Sequence, residues 1–316
     1  MRQIEQNKRM ELRIGTFNVQ NVKSNSLYLQ KLLKEVDILC IQEHWLYCNE
    51  KQQLSKIDPN FVCAAKSVDD NDSDLHRIIG RGYGGVAILW RKSIDEKLRI
   101  IPDGGSRIQA LLLEQENQPI CILNVYMPSD SKNANTEYKD TLSEIDEIMS
   151  KYGQTHNIII CGDMNGSLHR NKNAHDKILQ EFCSEKEIYL QASFPEKPTF
   201  YHKSMPARSQ IDYFLIKDHG PLSEGFRLII EDMKAENTSD HVPVLLRFKC
   251  QLKRFKEKPK EIIVNPKWDS CDKQKYKARI TNKIGDLMRV SKGNIETDVR
   301  NMEKLLHKAG QDAIPK

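Results

Sequence analysis

Between residues 11 and 248 the chain alternates short apolar runs with breaks made of Gly, Pro or charged residues. "LRIGTFNV" reads as a strand, and "LYLQKLLKEV" after it sets Leu29, Leu32, Leu33 and Val36 at the three-and-four spacing of one helix face. "DILCIQE", "GGVAILW", "RIQALLLE" and "ICILNVY" are further runs of strand length. "TEYKDTLSEIDEIMSKYG" carries Leu142, Ile145, Ile148, Met149 and Tyr152 on one helical face and stops at Gly153. "NIIICGD" then reads as a strand, "DKILQEFCSEKE" as a helix, and "SQIDYFLI", "FRLII" and "VPVLLRF" as strands. Strands and helices mixed in this proportion predict two sheets packed face to face under outer helices, an α/β sandwich.

The pattern changes after Phe248. The stretch 249–261, "KCQLKRFKEKPKE", holds six basic and two acidic residues and no helical period, which reads as a linker. "YKARITNKIGDLMRV" and "IETDVRNMEKLLHKAG" resume helical spacing. The expected organisation is a flexible N-terminus over 1–11, one domain over 12–248, a basic linker over 249–261 and a helical appendage over 262–316.

Charge sharpens that division. Of 49 Lys+Arg and 44 Asp+Glu in the chain, 18 and 9 lie in 249–316, leaving 31 and 35 for the body. A carboxylate-rich body beside a basic tail suits metal chemistry next to a polyanion. No apolar run approaches the roughly 18 residues that cross a bilayer, and "MRQIEQNKRMELRIG" lacks the apolar core of a secretory signal. The eight cysteines form no Cys-x-x-Cys, and Cys40, Cys121 and Cys161 sit inside apolar runs. An intracellular protein with buried free thiols is expected.

Several strands end in residues that strands avoid. "RIGTFNV" contains Asn18, "DILCIQE" ends at Glu43, and "ICILNVY" offers Asn124 and Tyr126. "IIICGDMN" delivers Asp163 and Asn165, "SQIDYFLI" contains Asp212, and "NTSDHVPV" places Asp240 and His241 ahead of an apolar run. Carboxylates are rarely buried unless paired or bound to a cation. Glu43, Asp163, Asp212 and Asp240 are hard oxygen donors of the kind that hold Mg²⁺. Asn18 and Asn165 can orient a water or a phosphate oxygen without adding charge. His241 exchanges a proton near neutral pH, and a carboxylate on its far nitrogen would fix its tautomer. Taken singly, each has a plainer reading: a turn at "GD", an inward salt bridge at Asp212, a capping turn at "SDH". Taken together, they suit attack by water on a phosphodiester.

In order, "TFNVQN", "IQEHW", "NVYMP", "ICGDMNG", "PTFYHKSMPARSQIDYFLI" and "SDHVPV" resemble the signature blocks of the endonuclease/exonuclease/phosphatase family over about 12–248. The resemblance implies a four-layered DNase I-like α/β sandwich with the site at one end of the paired sheets. It places Asn18 and Glu43 at a metal, Mg²⁺ with Mn²⁺ as an alternative, Asp240 at the metal or the histidine, and Tyr126 on the phosphate. Asp163 would orient or deprotonate the water, Asn165 would stand beside it, and Asp212 would buttress His241, with either the histidine or the aspartate taking the proton. Gln20 stands where apurinic endonucleases of the family carry an aspartate, which counts against a dedicated abasic-site enzyme.

Within the family, "IQEHWL" and "GYGGVAILWR" look most like the endonucleases of non-LTR (LINE-type) retrotransposons, which implies that Thr199 and Ser239 lie near the site. The segment 266–280 looks like the linker that leads from such endonucleases into a reverse transcriptase, although no polymerase motif occurs before Lys316. DNA is the expected partner and the nucleus the expected place of action. Arg81, Tyr83, Arg91, Lys92 and Arg208 are candidate DNA contacts, and the basic tail can meet phosphates in a salt-dependent way. Two alternatives stay open: a lipid or inositol phosphohydrolase of the same family, and a domesticated fold that no longer catalyses.

Overall fold

The computed structural model describes residues 9–70, 82–130, 134–191, 193–217, 225–255, 271–290 and 295–314. Strand β1 (Met10–Asn18) is followed by helix α1 (Ser26–Glu35) and strand β2 (Ile38–Gln42), and β1 and β2 pair in parallel. A parallel pair needs a crossover, and α1 supplies it. Leu29, Leu32 and Leu33 of α1 pack with Phe17, Leu39 and Ile41, so the helical spacing seen in the sequence is the buried face. Every residue of β2 is buried, as a central strand covered on both faces requires. The short helix α2 (Gln52–Ser55), β3 (Phe61–Lys66) and β4 (Val86–Arg91) follow, and β12 (Arg227–Ile230) and β13 (Val244–Cys250) complete a six-stranded sheet in the order β12-β13-β1-β2-β4-β3.

The second sheet repeats the device. Strands β5 (Leu98–Ile101), β6 (Ile108–Leu113) and β7 (Ile120–Tyr126) run antiparallel. Helix α3 (Ala134–Tyr152) then crosses over to β8 (Asn157–Asp163), which lies parallel to β7. Helix α4 (Ala174–Glu185) and the two-stranded hairpin of β9 (Phe200–Tyr201) and β10 (Arg208–Ser209) precede β11 (Asp212–Lys217), giving the order β11-β8-β7-β6-β5. Leu12, Ile14, Ile38, Cys40 and Ile88 of one sheet share a continuous apolar layer with Ile122, Ile160, Cys161 and Phe214 of the other. The expected α/β sandwich is observed. Both parallel pairs end at the same pole, the place where open α/β sheets collect their ligand groups.

The domain reaches further than the sequence pattern set it. Met10 and Glu11 already belong to β1, and residues 1–8 lie outside the described residues. At the other end β13 runs past Phe248, because Lys249 and Cys250 pair with Glu11 and Met10. Leu252 bridges to Gln115, the Lys253 N–H donates to Glu114 O, and the Phe255 N–H donates to Glu96 O. Residues 249–255 are thus part of the first compact unit, which ends at Phe255, and 256–270 lie outside the described residues. The second unit contains helices α5 (Lys273–Val290) and α6 (Ile295–Ala313), joined by the ion pair of Arg279 with Asp312 at 2.7 Å. All eight cysteines are free, and Cys40, Cys121 and Cys161 are buried as expected. Among the described residues no helix is long and apolar enough to cross a membrane.

Candidate active site

Register brings the second sheet's polar residues together. Asp163, the last residue of β8, stands opposite Tyr126 on β7 and opposite Asp212 on β11, so the three form one row across adjacent strands. Gly162 makes this possible. Its φ is +136°, and a Cβ there would fall 1.9 Å from the carbonyl oxygen of Val125. Only glycine lets β8 lie so close to β7 at that point. Past the strand end the Asn165 N–H donates to Asp163 Oδ1 at 2.9 Å, and its side-chain amide donates to Met127 O at 2.8 Å.

The first sheet contributes from a bent backbone. Gln20, Asn21, Glu43 and Trp45 all have positive φ although none is glycine, a kind of strain that gathers at functional sites. The Asn21 N–H donates to Glu43 O and the Trp45 N–H to Gly84 O, which pins the loop after β2 on two sides. The half-exposed Glu43 carboxylate accepts from Trp45 Nε1 at 2.9 Å and from Asn18 Nδ2 at 2.8 Å. The same Asn18 amide donates to Asp163 Oδ2 at 2.8 Å. One side chain therefore bridges a carboxylate of each sheet.

His241 stands on the loop before β13, 3% exposed. Its Nδ1 lies 2.9 and 3.2 Å from the two oxygens of the fully buried Asp212, and its Nε2 lies 3.8 Å from Asp163 Oδ2. One ligand atom from each of Asp163, Asp212 and His241 falls within 4.8 Å of the others. Burial alone would lower the His241 pKa, but the charges of Asp212 and Asp163 outweigh it and raise it to about 9. Burial, then the neighbouring Asp212, push the Asp163 carboxyl up. Burial, then the Glu43 and Asp163 carboxylates, push the Tyr126 hydroxyl well up, so it stays protonated and able to donate.

The remaining sequence candidates fall into two groups. Thr199 and Ser239 are buried and serve the backbone. Thr199 Oγ1 accepts from the Ile211 and Asp212 N–H groups, while Ser239 Oγ donates to Asn18 O and accepts from the His241 N–H. They sit behind Asp212 and His241. Asp240 is not one of the three clustered groups: its carboxylate lies 3.2 Å from Lys203 Nζ, while its N–H donates to Gln20 Oε1. Arg208 is exposed, its guanidinium 5.5 Å over the Tyr201 ring, on the hairpin that meets the site through the bond from Tyr201 N–H to Asp240 O. Arg91 differs from its reading as a DNA contact, because it bonds Asp37 and the carbonyls of Leu33, Lys34 and Val36. It ties off the end of α1. Tyr83 is exposed, and Arg81 lies outside the described residues.

Sequence reading missed the parts that align these groups. Asn25 and Asn237, both buried, hold the His241 loop to the start of α1: the Thr238 N–H donates to Asn25 Oδ1, and Asn237 Nδ2 donates to His241 O. Gln42 donates to Asn124 Oδ1 at 2.6 Å and to Thr16 Oγ1 at 3.0 Å, while Asn124 donates to Ile41 O and Ala87 O. This staple crosses the sandwich one residue from Glu43. Asn124 was visible as a polar residue in an apolar run, but its partners were not.

A model of the endonuclease/exonuclease/phosphatase family matches residues 15–241. The chain belongs to this family. Membership makes it an enzyme of the metal-dependent nuclease and phosphohydrolase kind. No curated protein matches the chain significantly. Among solved structures, the endonuclease domain of TRAS1, a telomere-specific non-LTR retrotransposon, is 16% identical with a TM-score of 0.56, covering 77% of this chain and 100% of that one. The AP endonuclease LMAP of Leishmania major is 14% identical (TM-score 0.60; 76% and 88% covered), and the APE2 catalytic domain of Xenopus laevis is 19% identical (TM-score 0.60; 78% and 94%). All share the DNase I-like sandwich.

Proposed function

We propose that this protein is a DNA endonuclease of the retrotransposon type, dependent on Mg²⁺ with Mn²⁺ as an alternative, that nicks target DNA to leave 3′-hydroxyl and 5′-phosphate ends. The observation that carries the reading is the Asn18 amide, bonded at 2.8 Å to Glu43 on one side and to Asp163 on the other. It sets a carboxylate suited to a cation beside a buried proton-handling cluster. The likeness to the TRAS1 endonuclease and the basic C-terminal charge support DNA as substrate. In a full element a reverse transcriptase would follow, and the work would be done in the nucleus.

The donor set fits a hard divalent cation. Glu43 is partly exposed and bonded by Asn18, Trp45 and the Tyr126 hydroxyl, and a carboxylate with about four lone-pair sites keeps capacity for a metal. Glu43 would hold the ion, with Asn18 beside it and Asp240 after release from Lys203. When bound, the ion would neutralise charge on the scissile phosphate and acidify a bound water. Asp163, its pKa raised by burial and held by the Asn165 N–H, accepts the proton of the attacking water. As the water oxygen bonds to phosphorus, the bond to the 3′ oxygen breaks, and that oxygen takes a proton from solvent water to become the 3′-hydroxyl. Asp212 keeps the His241 imidazole protonated, so its Nε2–H faces the charge that grows on the phosphoryl oxygens. The Tyr126 O–H, which stays protonated, donates a hydrogen bond to a phosphate oxygen.

The test uses supercoiled plasmid with Mg²⁺ or EDTA and three proteins: wild type, Glu43→Ala and His241→Ala. Wild type with Mg²⁺ should convert plasmid to the open circle, and DNA ligase should reseal the nick. Equal nicking by all three proteins overturns the proposal.

A further inference from the structure

At the pole opposite the active site the first unit carries a cleft of about 620 Å³. It is built from the outer ends of the strands: Arg9 just before β1, Glu11 on β1, Arg227 on β12, and Arg247 and Lys249 on β13. Asn18 lies seven residue steps along β1 from Glu11, which puts the cleft roughly 23 Å from the proposed chemistry. It is a separate place.

The ladder register of its cations is unusual. Arg13, Arg247 and Arg227 stand directly opposite one another across β1, β13 and β12. Like charges so placed repel unless something neutralises them. Arg13 is neutralised by Asp37, 2.9 Å away. Among the described residues Arg227 and Arg247 have no such partner, and the Arg247 Nε–H is shut off from solvent without any acceptor. The two carboxylates of the cleft do not fill the role. Glu11 stands opposite Lys249 on the ladder, and Glu116 lies 3.8 Å from Lys253. The cleft therefore carries positive charge that no described carboxylate neutralises, together with a buried N–H that has no acceptor.

We infer that this cleft is a second binding site, for the phosphate of a nucleotide, with Arg247 and Arg227 gripping the anion. Two guanidinium forks match phosphate oxygens bidentately in a way that ammonium groups do not. A volume of this size suits a ligand larger than a bare ion. The side-chain amides of Asn117 and Asn157, on the rim, can meet the edge of a base. A free nucleotide and the 5′ end of a nucleic-acid strand present the same chemistry.

Calorimetric titration of the full chain with AMP in EDTA and low salt tests the site without metal at the catalytic centre. Wild type and His241→Ala should bind AMP equally, and both more tightly than inorganic phosphate. Arg227→Gln/Arg247→Gln should weaken AMP binding at least tenfold and leave plasmid nicking with Mg²⁺ unchanged. Arg227→Gln alone, on an exposed position, should weaken binding severalfold, and it keeps the test valid if the double variant fails to fold. A 5′-phosphorylated oligonucleotide that displaces AMP, where its 5′-hydroxyl counterpart does not, assigns a strand end; AMP binding without that displacement assigns a free nucleotide. Equal AMP affinity in wild type and both arginine variants overturns the inference, as does no binding of AMP at millimolar concentration. Since neither arginine variant alters a catalytic residue, failure here leaves the nicking activity untouched.

Discussion

His44, just past β2, and His241, just before β13, are both shut away from water, yet their proton affinities move in opposite directions. His44 accepts the Leu46 N–H on Nδ1 and lies with Nε2 3.0 Å from Lys66 O. Those partners suit a neutral ring with its proton on Nε2. Burial, uncompensated by a nearby carboxylate bond, lowers its pKa to about 4. His241 suffers the same desolvation, but Asp212 and Asp163 face its two nitrogens and raise it to about 9. Burial does not decide what a histidine does; the groups placed against its two nitrogens do. One ring is a fixed strut under the Glu43 loop, packed so closely on Gly85 that a Cβ there would fall 2.4 Å from it. The other is poised to carry charge.

The contrast can be broken most severely at His241. Alanine there should lower single-turnover nicking roughly 10³-fold, within the range for losing a positioned acid–base group, while urea unfolding shows the protein still folded. Next in size, Asp212→Asn should cost roughly 10²-fold and bring the alkaline limb of the rate–pH profile to lower pH, because the largest charge that raises His241 is gone.

Stability against pH in EDTA separates the two rings. The folded pKa of His44 is depressed, so the unfolded chain binds its proton first and stability falls as pH drops from 6.5 towards 4. From pH 6.5 to 5 this amounts to about 2 kcal/mol, and His44→Gln should flatten that limb without changing kcat in the folded fraction. The folded pKa of His241 is raised, so its stabilisation is full below pH 6.5 and disappears as pH rises through 9. His241→Gln should flatten the alkaline limb instead. Thermal melts from pH 4 to 9.5 read both. The smallest effect is expected at Lys203, an exposed cation paired with Asp240. Lys203→Ala should lower the Mg²⁺ concentration for half-maximal nicking about threefold, a modest change of the size surface ion pairs give.

The sequence made the elements readable wherever burial follows a period. Leu29, Leu32 and Leu33 lie where a helix of 3.6 residues per turn puts them, and "IIICGD" is a central strand ending in its carboxylate. What was not readable depends on the third dimension. The crossing of β1 between β13 and β2 leaves no trace in local pattern, and neither does the positive φ of Glu43. Asp240 looked equivalent to the other strand-end carboxylates; only the fold shows it turned to Lys203. The late end of the domain carried a signal that basic composition hid. Phe248, Cys250 and Leu252 alternate inward against Lys249, Gln251 and Lys253, the two-residue period of a strand.

The amide of Asn18 has a consequence for how this molecule fails. It is anchored on β1, and its two acceptors belong to different sheets. Sliding one half of the sandwich past the other by about 1 Å would stretch one of those contacts beyond useful length. Heating should therefore silence the enzyme as soon as the halves loosen, ahead of any loss of secondary structure.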